Sequence, residues 1–228
     1  MQQLIAPHAA AGQSRFRPHA KQRRKGIALI QILYSPTSPY SAKVRMAAKH
    51  AGLEFESVMV NTSVAPENLI SANPLGKIPV LITAEGQSVF DSRCITQYIN
   101  RVTGSKLFPR QSEKRLDAEK LEALADGLCD VLITQIYERR FRPEEKVHVP
   151  WLEKQWEKTE RVLAMLDETP PRIGKRIHGG HIALAAAMSY LALRFEGRWE
   201  KKYPKLKRWQ KRFSDLHPDL AEFLPRAV

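Results

Sequence analysis

Apolar and polar positions change period twice along this chain. IALIQILY, residues 27–34, is a short Ile- and Leu-rich run and predicts a buried strand. SAKVRMAAKHAGL follows with Val44, Ala47 and Ala48 on one face, which predicts a helix stopped by Gly52. EFESVMV alternates and reads as a second strand. APENLISANP reads as a short helix or turn ended by Pro74, because the residue before a proline resists helical geometry. KIPVLI reads as a third strand with Pro79 inside it, a position where a missing N–H breaks the ladder. GQSVF is a fourth strand, and DSRCITQYINRVTG a helix from an Asp/Ser cap to Gly104. The order βαβαββα implies a parallel pair, then a hairpin, in a small mixed sheet covered by helices.

After SKLFPRQ the spacing becomes helical almost throughout. Residues 113–141 carry Leu121, Leu124, Leu128, Val131, Leu132 and Ile136 at intervals of three and four, which predicts one long helix. VPWLEKQWEKTERVLAMLDE predicts a second helix opening at Pro150, with Trp151, Leu152, Trp156, Val162, Leu163 and Leu166 inward. HIALAAAMSYLALRF is apolar nearly all round and belongs at the centre of its bundle. YPKLKRWQKRFSDL puts Leu206, Trp209, Phe213 and Leu216 on one face. The expected organisation is an α/β domain over residues 28–104, a linker over 105–111 and an all-helical domain over 112–228.

Composition adds limits. The apolar fraction of 43% and charged fraction of 27% are those of an ordinary globular protein, and no apolar run reaches a membrane-spanning length. Two cysteines, Cys94 and Cys129, have neither metal-type spacing nor a paired motif. A disulfide scaffold and a metal site are not expected, both thiols are expected in the core, and a reducing cytoplasm fits. Of the net charge of +13, residues 1–27 contribute six basic and no acidic side chains, leaving 31 basic against 24 acidic. Those first residues are expected to be a disordered tail or to reflect a misplaced start; organellar targeting and anion binding are the alternatives. The remaining excess favours anionic ligands without naming nucleic acid.

Three segments carry a resemblance. SPTSPYSAKVR, NPLGKIPVL and FDSRCITQYI, in this order and at these separations, resemble the soluble glutathione transferases, and the first looks like the bacterial serine-type subgroup. The resemblance runs from about Leu29 to the C-terminus. It implies a thioredoxin-like βαβαββα domain followed by a C-terminal helical bundle, and a homodimer. Glutathione is then the co-substrate and a small electrophile the second substrate, with no metal and no membrane or nucleic-acid partner. It implies a cis peptide before Pro79 that turns the backbone of Val80 outward, to pair with the cysteinyl part of glutathione like an added strand, with Ile78 and Pro79 beside it in the site. Asp91 suits the γ-glutamyl ammonium, Ser92 with its helix N-terminus suits the γ-glutamyl carboxylate, and Lys77 suits the glycyl carboxylate. Each has a plain alternative: the Asp-Ser pair as a helix cap, Lys77 as a solvated lysine. Tyr40, Leu128 and Tyr137 are the expected wall of the second-substrate pocket.

The chemistry asks for little. A free thiol with a pKa near 8.5 is only about 3% ionised at neutral pH. One hydrogen bond to a charged partner, about 1.5–3 kcal/mol, lowers that pKa by roughly one to two units. Ser38, directly before Pro39, is the first candidate to donate it and also the natural helix cap; Ser35 is the second, and Thr37 the weakest. Serine cannot perform the thiol–disulfide chemistry of cysteine-type relatives.

Two further stretches bear on function. HGGH, residues 178–181, stands where relatives carry a better capping box, and a weak cap is expected there. RWEKKYPKLKRWQKR mixes aromatics with cations; its aromatics fall at core spacing, so its charges are expected on a solvated face. The alternative function is a non-catalytic binding or regulatory protein on the same scaffold.

Overall fold

The computed structural model describes residues 29–227. Four strands, Ile30–Tyr34 (β1), Phe55–Met59 (β2), Val80–Ile82 (β3) and Ser88–Val89 (β4), form one sheet in the order β2-β1-β3-β4. β1 runs parallel to β2 and antiparallel to β3, and β3 pairs antiparallel with β4. Helices Pro39–Ala51 (α1), Glu67–Ala72 (α2) and Ser92–Val102 (α3) complete this half. The βαβαββα order matches the periodicity. The third strand differs in one respect: it begins after Pro79 rather than enclosing it, because a residue without an N–H serves better as the approach to a ladder than as a rung.

Adjacent residues of β1 feed two cores, as the alternation of a strand requires. Ile32 joins a large cluster with Val44, Met46, Ile95 and Ile99, while Leu33 joins a small one with Val60, Leu69, Ala72 and Val80. The large cluster continues without interruption into the helical half, through Leu128, Leu132, Ile182 and Leu184.

That half contains Ser112–Arg140 (α4), Val149–Glu168 (α5), Gly179–Arg194 (α6), Pro204–Leu216 (α7) and the short Pro218–Ala221 (α8), which the sequence pattern did not suggest. α6 is buried from Gly179 through Leu191, the central position its composition predicts. On α5 the inward stripe includes Gln155 and Thr159, while Trp151, Trp156 and Val162 are half-buried. Trp199, Tyr203 and Trp209 are buried and the lysines and arginines between them exposed, so the basic segment is a solvated face. Residues 1–27 lie outside the described residues. Among those described, no helix is long and apolar enough to cross a membrane.

The HGGH stretch holds by other means than a serine cap. His178 is the N-cap of α6, and its N–H donates to His181 Nδ1 at 3.2 Å. That leaves the other His181 nitrogen, Nε2, to donate to the Arg172 carbonyl at 2.9 Å. The glycines answer to packing: a Cβ on Gly180 would lie 2.5 Å from the Ala118 carbonyl oxygen, and one on Gly179 2.6 Å from the Phe108 ring.

Candidate functional site

A cleft of about 700 Å³ opens between the two halves. Its first wall is the turn joining β1 to α1. Ser38 caps α1: its Oγ accepts from the Ser41 N–H at 3.2 Å, and Pro39 fills the first helical position, where no N–H is needed. Because that oxygen accepts, the hydroxyl hydrogen stays available to a ligand. Ser35 Oγ and Thr37 Oγ1 lie 3.3 Å apart and share a hydrogen bond. The C-terminal segment braces this turn from behind: the Arg226 N–H donates to the Pro36 carbonyl at 3.1 Å, and the Arg45 guanidinium lies between the Tyr34 and Phe223 rings.

The second wall is the loop from Asn73 to Pro79. Buried Asn73 shapes it, accepting from the Leu75 N–H at 3.1 Å and donating to the Lys77 carbonyl at 2.8 Å. Gly76 turns the chain at φ 62°, a conformation that costs glycine nothing. The Ile78–Pro79 peptide is cis, as expected. Among the described residues, neither backbone group of Ile78 makes a hydrogen bond, so one residue's donor and acceptor are left unpaired beside the cleft.

The third wall is the start of α3. Asp91 Oδ1 caps the helix, accepting from the Arg93 N–H at 3.0 Å and the Cys94 N–H at 3.4 Å. Only one carboxylate oxygen is engaged, and the residue remains exposed. Ser92 is nearly buried and borders the cleft.

Beneath lies a network that sequence reasoning missed. Lys43 of α1 is 1% exposed, and its Nζ sits 2.8 Å from both oxygens of Asp126 on α4 and 3.4 Å from Glu122. Arg93 adds a bond from Nε to Asp126 at 2.9 Å, and Thr96 donates to Glu122 at 2.8 Å. The hydrogen bond to Asp126 holds the Arg93 guanidinium more firmly charged than usual. The signal was in the sequence: Lys43 falls on the α1 face that buries Pro39, Met46 and Ala47, and Glu122 and Asp126 share the α4 face of Ala118, Ala125 and Cys129.

The fourth wall is α4 and α6. α4 presents Asp126, Asp130, Ile133, Thr134, Tyr137 and Arg140 to the cleft, and α6 adds Tyr190 and Arg194. Tyr40 donates its phenol proton to Asp130. Burial first, and that bond second, push the Tyr40 pKa far above its ordinary value, so it stays protonated.

Of the residues singled out from sequence, Ser35, Ser38, Tyr40, Lys77, Ile78, Pro79, Asp91, Ser92 and Tyr137 all line this cleft. Two do not. Leu128 is 1% exposed inside the large core, on the side of α4 turned away from the cleft. Val80, whose backbone was expected to meet glutathione, pairs with Leu33 of β1 and sends its side chain into the small core. Cys129 is buried as expected, and burial drives its thiol pKa up. Cys94 is exposed rather than in the core, because α3 turns Ile95 and Ile99 inward instead. Among the described residues, no cluster of three potential metal ligands exists.

Comparison with known proteins decides the family. Residues 37–102 match the family model of the glutathione S-transferase N-terminal domain. A GST-like protein of Escherichia coli, YibF, is 32% identical over 175 residues, covering 72% of this chain and 83% of that protein. The chain belongs to the glutathione S-transferase family. Its sheet and helices are accordingly the thioredoxin-like domain and helical domain of that fold. A glutathione S-transferase from Methylobacterium radiotolerans, in complex with glutathione sulfonate, superposes with a TM-score of 0.79 at 32% identity over 87% of this chain and 96% of that one. A glutathione transferase family member from Pseudomonas fluorescens, with bound S-(propanoic acid)-glutathione, gives 0.74 at 30% identity over 86% and 100%.

Proposed function

We propose that this protein is a serine-type glutathione transferase: it binds glutathione in the cleft, ionises its thiol and directs the thiolate at a small electrophile. The observation that carries this reading is the convergence of the Ser38 hydroxyl, the unpaired Ile78 backbone and the Asp91–Ser92 helix start on one cleft. Ile78 takes the cysteinyl backbone as an added strand would, which sets the sulfur toward the turn. Ser92 and the N-terminus of α3 receive the γ-glutamyl carboxylate, and the free oxygen of Asp91 receives its ammonium. Lys77 takes the glycyl carboxylate.

Ser38 is the thiol's partner. Its oxygen is fixed by the Ser41 N–H, its hydrogen is free, and it stands at the positive end of α1. The Tyr40 proton is committed to Asp130, and the hydrogen bond between Ser35 and Thr37 takes up the proton of one of those two hydroxyls. In the chemical step the thiolate sulfur forms a bond to the electrophilic carbon while the leaving group departs with its bonding pair. The thiol proton has already passed to solvent on ionisation. A homodimer, as the family resemblance implies, is part of the reading and is checked by its mass in solution.

Asp91→Asn tests the site, since asparagine keeps the helix cap and removes the charge. Calorimetry is expected to show glutathione binding to the native protein, weakened about tenfold in the variant. No binding at millimolar glutathione would overturn the reading in favour of a non-catalytic scaffold protein.

A further inference from the structure

The wall that α4 presents changes character with distance from Ser38. Asp130, beside Tyr40, comes first; Ile133 and Thr134 lie one turn on, Tyr137 two turns on and Arg140 at the end of the helix. From Asp130 to Arg140 is about 15 Å at the α-helical rise. α6 contributes Tyr190 and, at its own last position, Arg194.

Both guanidiniums lack a carboxylate partner among the described residues. Of the acids near Arg140, Glu144 pairs with Arg139 at 3.7 Å and Glu138 with Arg142 at 2.9 Å. Arg194 is half-buried, and its Nε has no hydrogen-bond partner. Tyr137 and Tyr190 lie against these side chains, with the Arg140 guanidinium 5.8 Å from the Tyr137 ring centre and that of Arg194 5.9 Å from Tyr190.

A plainer role exists: arginines at helix ends complement the dipole. It does not exhaust the charge. Each helix end carries roughly half a negative charge against the full positive charge of its arginine, leaving about one net positive charge at this end of the cleft.

Resting on the glutathione-transferase reading, we propose that the second substrate is an anionic electrophile. It has an apolar or aromatic body that lies along Ile133, Tyr137 and Tyr190, and a carboxylate remote from its reacting carbon that pairs with Arg194 and Arg140. Guanidinium forks favour a planar carboxylate, and the tyrosine rings favour a flat body between it and the sulfur.

Product analogues test this without turnover. Calorimetry compares S-methylglutathione, S-(4-carboxybenzyl)glutathione and S-(4-carbamoylbenzyl)glutathione on the native protein and on Arg194→Gln and Arg140→Gln. The carboxylate conjugate is expected to bind about tenfold or more tightly than the carbamoyl one. That ratio is expected to fall toward unity in the variants, each referred to S-methylglutathione on the same variant. Equal affinity of the two benzyl conjugates on the native protein would overturn this inference while leaving glutathione binding intact. A native protein that binds none of the three would overturn both. The native comparison stands even where a variant does not fold.

Discussion

The ammonium of Lys43 sits 2.8 Å from each carboxylate oxygen of Asp126, joining α1 of the sheet domain to α4 of the helical domain at a point closed to water. This pair ties together the helices that carry two walls of the cleft. Its lower edge is Asp126 itself, which also holds Arg93 one residue from the Asp91–Ser92 motif. Burying charges is expensive, and the arrangement is tolerable because every member is paired.

Lys43→Met removes the cation and leaves Asp126 and Glu122 facing each other with one exposed partner, Arg93. The expected loss is about 3–5 kcal/mol. Replacing Lys43, Glu122 and Asp126 together by apolar residues is expected to cost less than Lys43→Met alone. Urea unfolding of the two variants checks this. A single variant as stable as the native protein would show that the network carries no such coupling.

The glycines of α4 and α6 are expected to respond oppositely to a methyl group. Gly180→Ala drives a Cβ to 2.5 Å from a main-chain carbonyl and is expected to destabilise by about 1–3 kcal/mol or more. Gly127, inside α4 with open space around it, is expected to gain up to about 1 kcal/mol as alanine. Thermal unfolding of the pair checks the contrast, which reversed signs would refute.

Much of this was legible beforehand. Helix α5 begins and ends where its pattern does, and the cis peptide before Pro79 was implied by the family resemblance of its segment. Lys43, Asp126 and Arg93 escaped because charged residues count as surface in any periodicity argument. The burial of Lys43 and Asp126, and the tie from Arg93, depend on partners more than thirty residues apart, which a pattern confined to one element does not register. Leu128 was placed on the pocket wall because the family resemblance lines that pocket with the long helix, without saying which of its faces. The cleft face of α4 is mostly polar, and the apolar stripe lies beside it. The glycines of HGGH, read as poor caps, are there for contact distance.

Acid is expected to loosen the start of α6. His178 and His181 have ring centres 3.8 Å apart, Nδ1 of His178 is buried without a partner, and His50 and His217 face the same region. Burial first, and the neighbouring His181 second, push the His178 pKa down to about 4. A depressed histidine pKa means the unfolded chain binds the proton first. Its stability contribution is complete above about pH 6.5 and is lost as pH falls toward about 4. With His178 half exposed, about 1–2 kcal/mol is a reasonable size after screening. Urea midpoints at about pH 8 and about pH 5 measure the loss, which His178→Asn is expected to reduce. An identical pH slope in the variant would assign the loss elsewhere.

The central claim is that the sulfur of bound glutathione is held by the Ser38 hydroxyl. Thiolate absorbance of the glutathione complex, followed against pH, tests it most directly. Ser38→Ala is expected to raise the bound thiol's pKa by about one to two units. Ser35→Ala, whose hydroxyl is already paired with Thr37, is expected to move it by less than about half a unit. A bound thiol that ionises at the same pH in Ser38→Ala as in the native protein would contradict the account.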